Sequence, residues 1–129
     1  MLVVEDEPLV MMSLEEALEE GGFTVVQAAN GEEAIRLLER SPGDFRAVLT
    51  DVNLGRDSLT GWDVARRARE LKPHCPVVYV TANPATEWTA YGVPGSLLVA
   101  KPFVPAQLIT AVSQLLTAGN GVPGPAAAP

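Results

Sequence analysis

The chain opens with Met1-Leu2-Val3-Val4-Glu5-Asp6, an apolar run that ends in an acidic pair. A second apolar run, Ala47-Val48-Leu49-Thr50, is followed by Asp51 in the same way. Short apolar runs of this kind are typical of strands buried in a parallel sheet. Open α/β sheets place their sites outside the carboxyl ends of such strands. If the two strands are neighbours, the carboxylates of Glu5, Asp6 and Asp51 share one pocket.

Three carboxylates that share a pocket repel one another. At about 5 Å and an effective dielectric constant of about 20, each pair of charges repels by roughly 3 kcal/mol. The cluster must therefore take up protons or bind a cation, and oxygen ligands of this kind suit Mg²⁺. The opening pattern predicts a site that binds a hard metal ion and carries out chemistry on a carboxylate.

The rest of the chain repeats the alternation of apolar run and amphipathic stretch. Five such pairs predict an α/β fold, a doubly wound five-stranded parallel sheet with helices on both faces. The predicted strands are residues 2–4, 24–27, 47–50, 77–81 and 97–100. Helical spacing predicts helices that begin near residues 8, 30, 62 and 105. The fourth stretch, residues 84–95, holds two prolines and two glycines, which predicts a helix that is short or irregular.

Length and composition favour a single acidic domain. The 129 residues are enough for one buried core. Sixteen acidic and nine basic residues give a net charge of −7, which argues against non-specific nucleic-acid binding because that requires neutralised phosphates. A single cysteine, Cys75, permits no internal disulfide and favours a reducing compartment. No apolar run reaches the length of about 20 residues that spans a bilayer, and no signal peptide is visible, so we expect a cytoplasmic protein.

The end of the chain has a different composition from the rest. From Gly119 onward it consists of Gly, Pro and Ala with one Asn and one Val. Such a stretch is typical of a flexible tail or linker. We therefore expect one folded domain over residues 1–118 and a tail over residues 119–129.

Two further polar residues follow predicted strands and so join the carboxylates at the same edge of the sheet. Thr81 ends the fourth strand, and Lys101 comes directly after the fifth. A hydroxyl and an ammonium group can bind the oxygens of a phosphoryl group in transfer, while Asp51 acts as the nucleophile and a metal ion neutralises charge. The combination predicts phosphoryl transfer to Asp51.

Four segments, taken in order, resemble the receiver domains of two-component response regulators. They are Val3-Val4-Glu5-Asp6-Glu7-Pro8, Leu49-Thr50-Asp51-Val52-Asn53-Leu54, Val80-Thr81-Ala82 and Lys101-Pro102-Phe103. The resemblance covers residues 1–118 and implies a flavodoxin-like or CheY-like (βα)5 fold. The residues after Asp51 and the fourth stretch are similar to those of a subgroup of receivers with an atypical fourth helix.

The resemblance implies a role for each acidic residue of the site. Asp51 corresponds to the phosphoacceptor, and Asp6 to the principal acidic ligand of Mg²⁺, with Asp51 as a second ligand. Glu5 corresponds to a residue that acts on the metal through water. Asn53 corresponds to a residue whose backbone carbonyl completes the metal shell.

The resemblance also assigns the phosphate contacts and shows one departure. Thr81 and Lys101 correspond to the pair that contacts the phosphoryl group, and in such domains the bond between Lys101 and Pro102 is cis. Many receivers carry a rotating aromatic residue three positions before the lysine, but Leu98 stands there in this chain. We therefore expect phosphorylation to order or reposition residues 83–95, with Trp88 and Tyr91 as contact residues.

A receiver of this kind takes its phosphoryl group from a sensor histidine kinase or a histidine phosphotransfer protein. It signals through a protein–protein contact and is not an enzyme with multiple turnovers. The sequence shows no DNA-binding domain and no membrane segment, so the output we expect is a protein partner. The chain fits either a stand-alone regulator or the receiver of a hybrid kinase.

Two other functions fit the same architecture. An aspartate-nucleophile phosphohydrolase shares the sheet and the nucleophile, but it usually carries a second Asp two residues later as acid and base, where this chain has Asn53. A flavodoxin-like FMN-binding module offers hydroxyls and backbone amides to a phosphate in its first loop. The acidic residues Glu5, Asp6 and Glu7 would repel such a phosphate.

Overall fold

A computed structural model gives the structure of residues 1–54, 59–82 and 85–119. Five strands alternate with five helices along these residues, as predicted. The elements are β1 Leu2–Val4, α1 Pro8–Glu20, β2 Val26–Ala28, α2 Gly31–Arg40, β3 Val48–Asp51, α3 Gly61–Leu71, β4 Val77–Thr81, α4 Ala85–Tyr91, β5 Leu97–Ala100 and α5 Pro105–Gly119. Residues 55–58, which include Asp57, fall outside the described residues, and so do two predicted features: the start of the fourth stretch at Asn83 and Pro84, and most of the tail, residues 120–129.

The five strands form one parallel sheet in the order β2-β1-β3-β4-β5. β1 and β3 are hydrogen-bonded neighbours, with Val4 opposite Thr50. The strand order reverses between them, and this is where doubly wound folds open a crevice for ligands. The predicted fold is therefore confirmed, and the acidic residues that follow β1 meet the end of β3 at the crevice.

Side chains that alternate along the strands fill two layers of core. Val3 and Leu49 face α1 and α5, where they pack with Leu14, Leu18, Leu108 and Val112. Leu2, Val4 and Val48 face the other side, where they pack with Ala34 and Leu38 of α2 and with Val64 and Ala68 of α3. Both faces of the sheet are therefore covered, and the strand ends are left as the place for a site. None of the described helices is long and apolar enough to cross a membrane.

Two strand boundaries differ from the predicted ones by one or two residues. β2 covers residues 26–28 where residues 24–27 were expected, because it is an edge strand whose start depends on pairing with β1. The Val26 N–H donates to the Met1 carbonyl over 2.9 Å, and neither Val26 nor Gln27 is buried. β3 ends at Asp51 itself, so the strand continues up to the predicted nucleophile.

Helix α3 begins directly against the end of β3. Thr60 and Asp63 form a capping box, in which each side chain accepts a hydrogen bond from the other residue's backbone N–H. The hydrogen bond that the Asp63 carboxylate accepts from the Thr60 N–H is the main cause that lowers the pKa of Asp63. The Gly61 N–H donates to the Val52 carbonyl over 2.8 Å, and a Cβ atom at Gly61 would lie 2.1 Å from the carbonyl oxygen of Asp51. The first turn of α3 thus rests on the backbone of Asp51.

Helix α4 has seven residues, so the predicted short fourth helix is confirmed. It ends before Gly92, whose N–H donates to the Trp88 carbonyl over 2.8 Å. A Cβ atom at Gly92 would lie 2.4 Å from the indole ring of Trp88. The ring therefore lies over the glycine backbone at the end of the helix.

Candidate functional site

The predicted acidic cluster exists in the folded chain. Glu5, Asp6 and Asp51 each contribute one carboxylate oxygen to a group whose members all lie within 4.8 Å of one another. Glu5 and Asp51 are buried, whereas Asp6 is exposed. The cluster therefore lines a pocket in which two carboxylates are buried and which opens to solvent on the side of Asp6.

Lys101 reaches into this cluster from the loop after β5. Its Nζ lies 3.0 Å from Asp51 Oδ2 and 3.1 Å from Glu5 Oε1. Burial opposes the charge of the ammonium group, but the hydrogen bonds to the two carboxylates outweigh it and raise the pKa of Lys101. The lysine is thus held as a cation beside Asp51.

Glu5 has a second partner, in the loop between β1 and α1. Its Oε2 accepts a hydrogen bond from the Glu7 N–H over 3.1 Å. Glu7 is the N-cap residue of α1, and its own side chain makes no capping bond. Glu5 is therefore hydrogen-bonded both to the start of α1 and to Lys101. Lys101 in turn connects it to Asp51. These two hydrogen bonds of Glu5 were not predicted, because residues 5 and 101 are distant in the sequence and only the folded chain shows which atoms of the two residues meet.

The environment of Glu5 disfavours its charged form. Burial raises the pKa of Glu5 from 4.5 to about 7, helped by the negative charge of Asp51 and opposed by the bonds from Glu7 and Lys101. When all groups are ionised, three carboxylates face one ammonium, so two negative charges are left over. A divalent cation would balance them, and carboxylate oxygens are the ligands that Mg²⁺ prefers. The residues present therefore fit a magnesium site.

The other predicted site residues lie at the carboxyl ends of strands or just beyond them. Thr81 is buried at the carboxyl end of β4, and its carbonyl accepts a hydrogen bond from the Lys101 N–H over 2.8 Å. The peptide bond between Lys101 and Pro102 is cis, as predicted. Asn53 is exposed, two residues beyond Asp51. Sequence reasoning missed Thr50, whose hydroxyl donates to the Asp51 carbonyl over 2.8 Å.

Residues 1–113 match the family described as the response regulator receiver domain. The chain belongs to this family. It is therefore a phosphoacceptor signalling domain rather than a catalytic enzyme, and the receiver function is favoured over the hydrolase and the FMN-binding module.

Relatives of this receiver include solved and curated proteins. A receiver protein structure from Sinorhizobium medicae is 42% identical, with a TM-score of 0.87 over 92% of this chain and 94% of that one. The phyllosphere-induced regulator PhyR of Methylorubrum extorquens is 34% identical over 118 residues, which are 89% of this chain and 42% of PhyR. The receiver domain of a Pseudomonas aeruginosa sensor histidine kinase, solved with a magnesium ion coordinated in its active site cleft, is 28% identical. Its TM-score is 0.77, over 90% of this chain and 95% of that one.

These relatives support the metal site, and the curated ones among them are longer proteins. Magnesium is coordinated in the active site of a related receiver, and the acidic cluster of this receiver has the matching chemistry. The chain spans half or less of the length of the curated relatives that it matches.

A pH-dependent stability difference follows from the burial of Glu5. In the metal-free receiver, we expect Glu5→Gln to unfold at a higher temperature than the wild type by a margin that grows from about pH 5 to about pH 8. Glutamine imitates the protonated carboxyl, which the folded wild type keeps until its pKa of about 7, whereas the unfolded chain loses the proton near 4.5. Between these two values the folded wild type binds more protons than the unfolded chain, so its stability falls as the pH rises.

Thermal unfolding with a chelator at several pH values measures this margin. Glu16→Gln is the control, since Glu16 is an exposed glutamate on α1 and should give a margin that stays constant with pH. A constant margin for Glu5→Gln as well would contradict the assignment of the raised pKa to Glu5.

Proposed function

We propose that this receiver accepts a phosphoryl group on Asp51 from the phosphohistidine of a sensor histidine kinase or a histidine phosphotransfer protein. The observation that carries the proposal is the position of the Asp51 carboxylate. It is buried, lies within 4.8 Å of two other carboxylates and is paired with Lys101 over 3.0 Å. Lys101 balances only one of the three charges of this acidic group when all of its members are ionised, and a divalent cation would balance the other two.

The transfer step makes one bond and breaks one. A carboxylate oxygen of Asp51 attacks phosphorus as the bond from phosphorus to the donor's imidazole nitrogen breaks, and the nitrogen keeps the electron pair of that bond. The imidazole ring is protonated on its other nitrogen, so the donor is left as neutral histidine while Asp51 becomes an acyl phosphate. Bound Mg²⁺ would neutralise charge on the transferring group. Asp6, Asp51 and the backbone carbonyl of Asn53 would hold the ion, and Glu5 would contact it through water.

Lys101 and Thr81 serve the phosphoryl group. The Lys101 ammonium already lies beside the Asp51 oxygen, and its charge is favoured by both carboxylates. When Asp51 becomes an acyl phosphate, the ammonium can move from the carboxylate to a phosphoryl oxygen without leaving the pocket. The Lys101 N–H is bonded to the Thr81 carbonyl, so the backbone segments that carry the lysine and the threonine lie side by side at the pocket.

The proposed partners and location follow from the family. Receiver domains are phosphorylated by histidine kinases, and one related receiver is part of a sensor kinase. We assign the cytoplasm as the place of the reaction, with one receiver domain over residues 1–118, a flexible tail after it and a protein as the downstream target. The single cysteine is buried, which agrees with a reducing compartment.

Incubation with acetyl phosphate and Mg²⁺ tests this function. We expect a single added phosphoryl group in the intact mass, and we expect a chelator to prevent it. Continuous release of phosphate without a stable adduct would indicate a hydrolase. A protein that purifies with bound yellow flavin and gains no mass would indicate an FMN-binding module.

A further inference from the structure

The turn between α4 and β5 is attached to the rest of the receiver by side chains from three elements. Tyr79 of β4 accepts a hydrogen bond at its hydroxyl from the Val93 N–H over 3.1 Å. Trp88 of α4 donates its indole N–H to the Ser96 hydroxyl over 2.9 Å. Arg69 of α3 donates to the Pro94 carbonyl over 2.6 Å. The turn is therefore a fixed part of the fold rather than a free connection.

Of these three side chains, that of Tyr79 lies in the core, on the strand that ends at Thr81. Its side chain is fully buried, and its ring centroid lies 4.6 Å from that of Trp62 on α3. It stands two residues before Thr81, so both side chains point to the same face of the sheet. Its partner across the strands is Leu98 of β5, the position at which many receivers carry the rotating aromatic residue. At this level of the sheet, the aromatic ring is therefore on β4, and an aliphatic side chain is on β5.

A ring in this place cannot act by rotating to the surface. Tyr79 is packed against Trp62 on α3, and its hydroxyl already serves a buried backbone N–H, which would lose its partner if the ring left. Within the described residues, the hydrogen bond at its hydroxyl connects it to Val93. Val93 is linked in turn to Ser96, whose hydroxyl donates to the Val93 carbonyl over 2.7 Å, and Ser96 accepts from the Trp88 indole.

We propose that Tyr79 is the positioning residue that connects the phosphorylation site to α4, through the sequence Tyr79 hydroxyl, Val93 amide, Ser96 hydroxyl and Trp88 indole. The inference rests on the proposed function, because the signal begins when a phosphoryl group attracts the Thr81 hydroxyl. A shift of the β4 end at Thr81 displaces Tyr79 two residues below it. Because the Tyr79 hydroxyl is hydrogen-bonded to Val93, Val93 moves with it. Ser96 and Trp88 then move through their own hydrogen bonds.

The variant that tests this connection is Tyr79→Phe, which removes one oxygen atom and keeps the ring against Trp62. The Val93 amide loses its acceptor, so we expect its hydrogen exchange in the resting receiver to become about five to ten times faster. The matched control is Tyr91→Phe, the same change at a tyrosine that is 52% exposed. It should leave the exchange of Val93 unchanged. Unchanged exchange in Tyr79→Phe would overturn the proposal at its first step.

The Trp88 indole N–H reports the last step, because its NMR signal depends on the bond to Ser96. Beryllofluoride with Mg²⁺ imitates the phosphoryl group, and its binding is followed separately by the fluorine signal of the bound ligand. In the wild type and Tyr91→Phe, beryllofluoride should shift the Trp88 signal, which Trp88→Phe and Trp62→Phe variants assign. In Tyr79→Phe the ligand should bind as before while the Trp88 signal stays in place. An equal shift of Trp88 in Tyr79→Phe would overturn the connection.

A second variant keeps the proposal testable if Tyr79→Phe is too unstable to study. Ser96→Ala leaves Tyr79 and Val93 in contact but removes the acceptor of the Trp88 indole. Beryllofluoride should then shift the Val93 amide and no longer shift the Trp88 indole; a Trp88 shift equal to that of the wild type would overturn the proposed order. If no bound beryllofluoride is seen even in the wild type, the proposed function itself fails, a result distinct from bound ligand with an unresponsive Trp88.

Discussion

Asp51→Asn should abolish phosphorylation of the receiver by acetyl phosphate. The amide nitrogen and oxygen of asparagine are far weaker nucleophiles than a carboxylate, and the substitution also removes one of the charges that attract the metal ion. The change preserves the size of the side chain, and the buried position at the end of β3 should still be filled. Intact-mass spectrometry after treatment with acetyl phosphate and Mg²⁺ should show no added phosphoryl group.

A matched control for this result is Asp44→Asn. Asp44 is exposed in the turn after α2, so the variant removes one aspartate of the same chemistry from outside the pocket. It should gain one phosphoryl group like the wild type. A full mass gain in Asp51→Asn would show that the acceptor is another residue and that the acidic pocket serves a different purpose.

Asp6→Asn should weaken Mg²⁺ binding by tenfold or more. Asp6 is the exposed member of the acidic cluster, so its carboxylate is free to approach an ion that keeps several water molecules, as Mg²⁺ does in proteins. Loss of one direct carboxylate ligand costs at least about 1.4 kcal/mol of binding free energy, which is a factor of ten in affinity. Titration with MgCl₂, followed by tryptophan fluorescence or NMR, measures the dissociation constant.

Glu7→Gln provides the comparison for Asp6→Asn. Glu7 is the next acidic residue along the chain and is also exposed, but it is not a member of the cluster. Its variant removes the same charge from nearly the same place and should lower the affinity only slightly, through weaker long-range attraction. Equal losses in the two variants would mean that general negative charge, rather than ligation by Asp6, attracts the ion.

The sheet and the site could be predicted because each central strand is encoded by a short apolar run, and each site residue ends such a run or closely follows it. Buried parallel strands appear as apolar runs, and the side chain that follows each run lies at the same edge of the sheet. Asp6, Asp51, Thr81 and Lys101 could therefore be placed at one edge without any knowledge of distances. The limits of β2 were predicted less accurately, because this edge strand has only a short apolar run, Val25-Val26, and takes its limits from its neighbour.

What could not be predicted depends on contacts between distant residues. Glu5 was expected to act on the metal, and the structure shows that its two oxygens accept bonds from Glu7 and Lys101. The bond from Val93 to Tyr79 joins a turn to a strand 14 residues away, and neither residue type predicts the other. A tyrosine in an apolar strand is explained equally well by packing alone, so only the folded chain shows that its hydroxyl has a partner.

The groups around the Asp51 carboxylate also indicate the direction from which a donor can reach the receiver. Glu5 and Lys101 close one side of the carboxylate. Among the described members of the acidic cluster, Asp6 is the exposed one. We therefore expect a phosphoryl group on Asp51 to extend outward past Asp6, and an incoming phosphohistidine to approach over the loop between β1 and α1. Any protein that covers this loop would block both the arrival of the phosphoryl group and its removal by water.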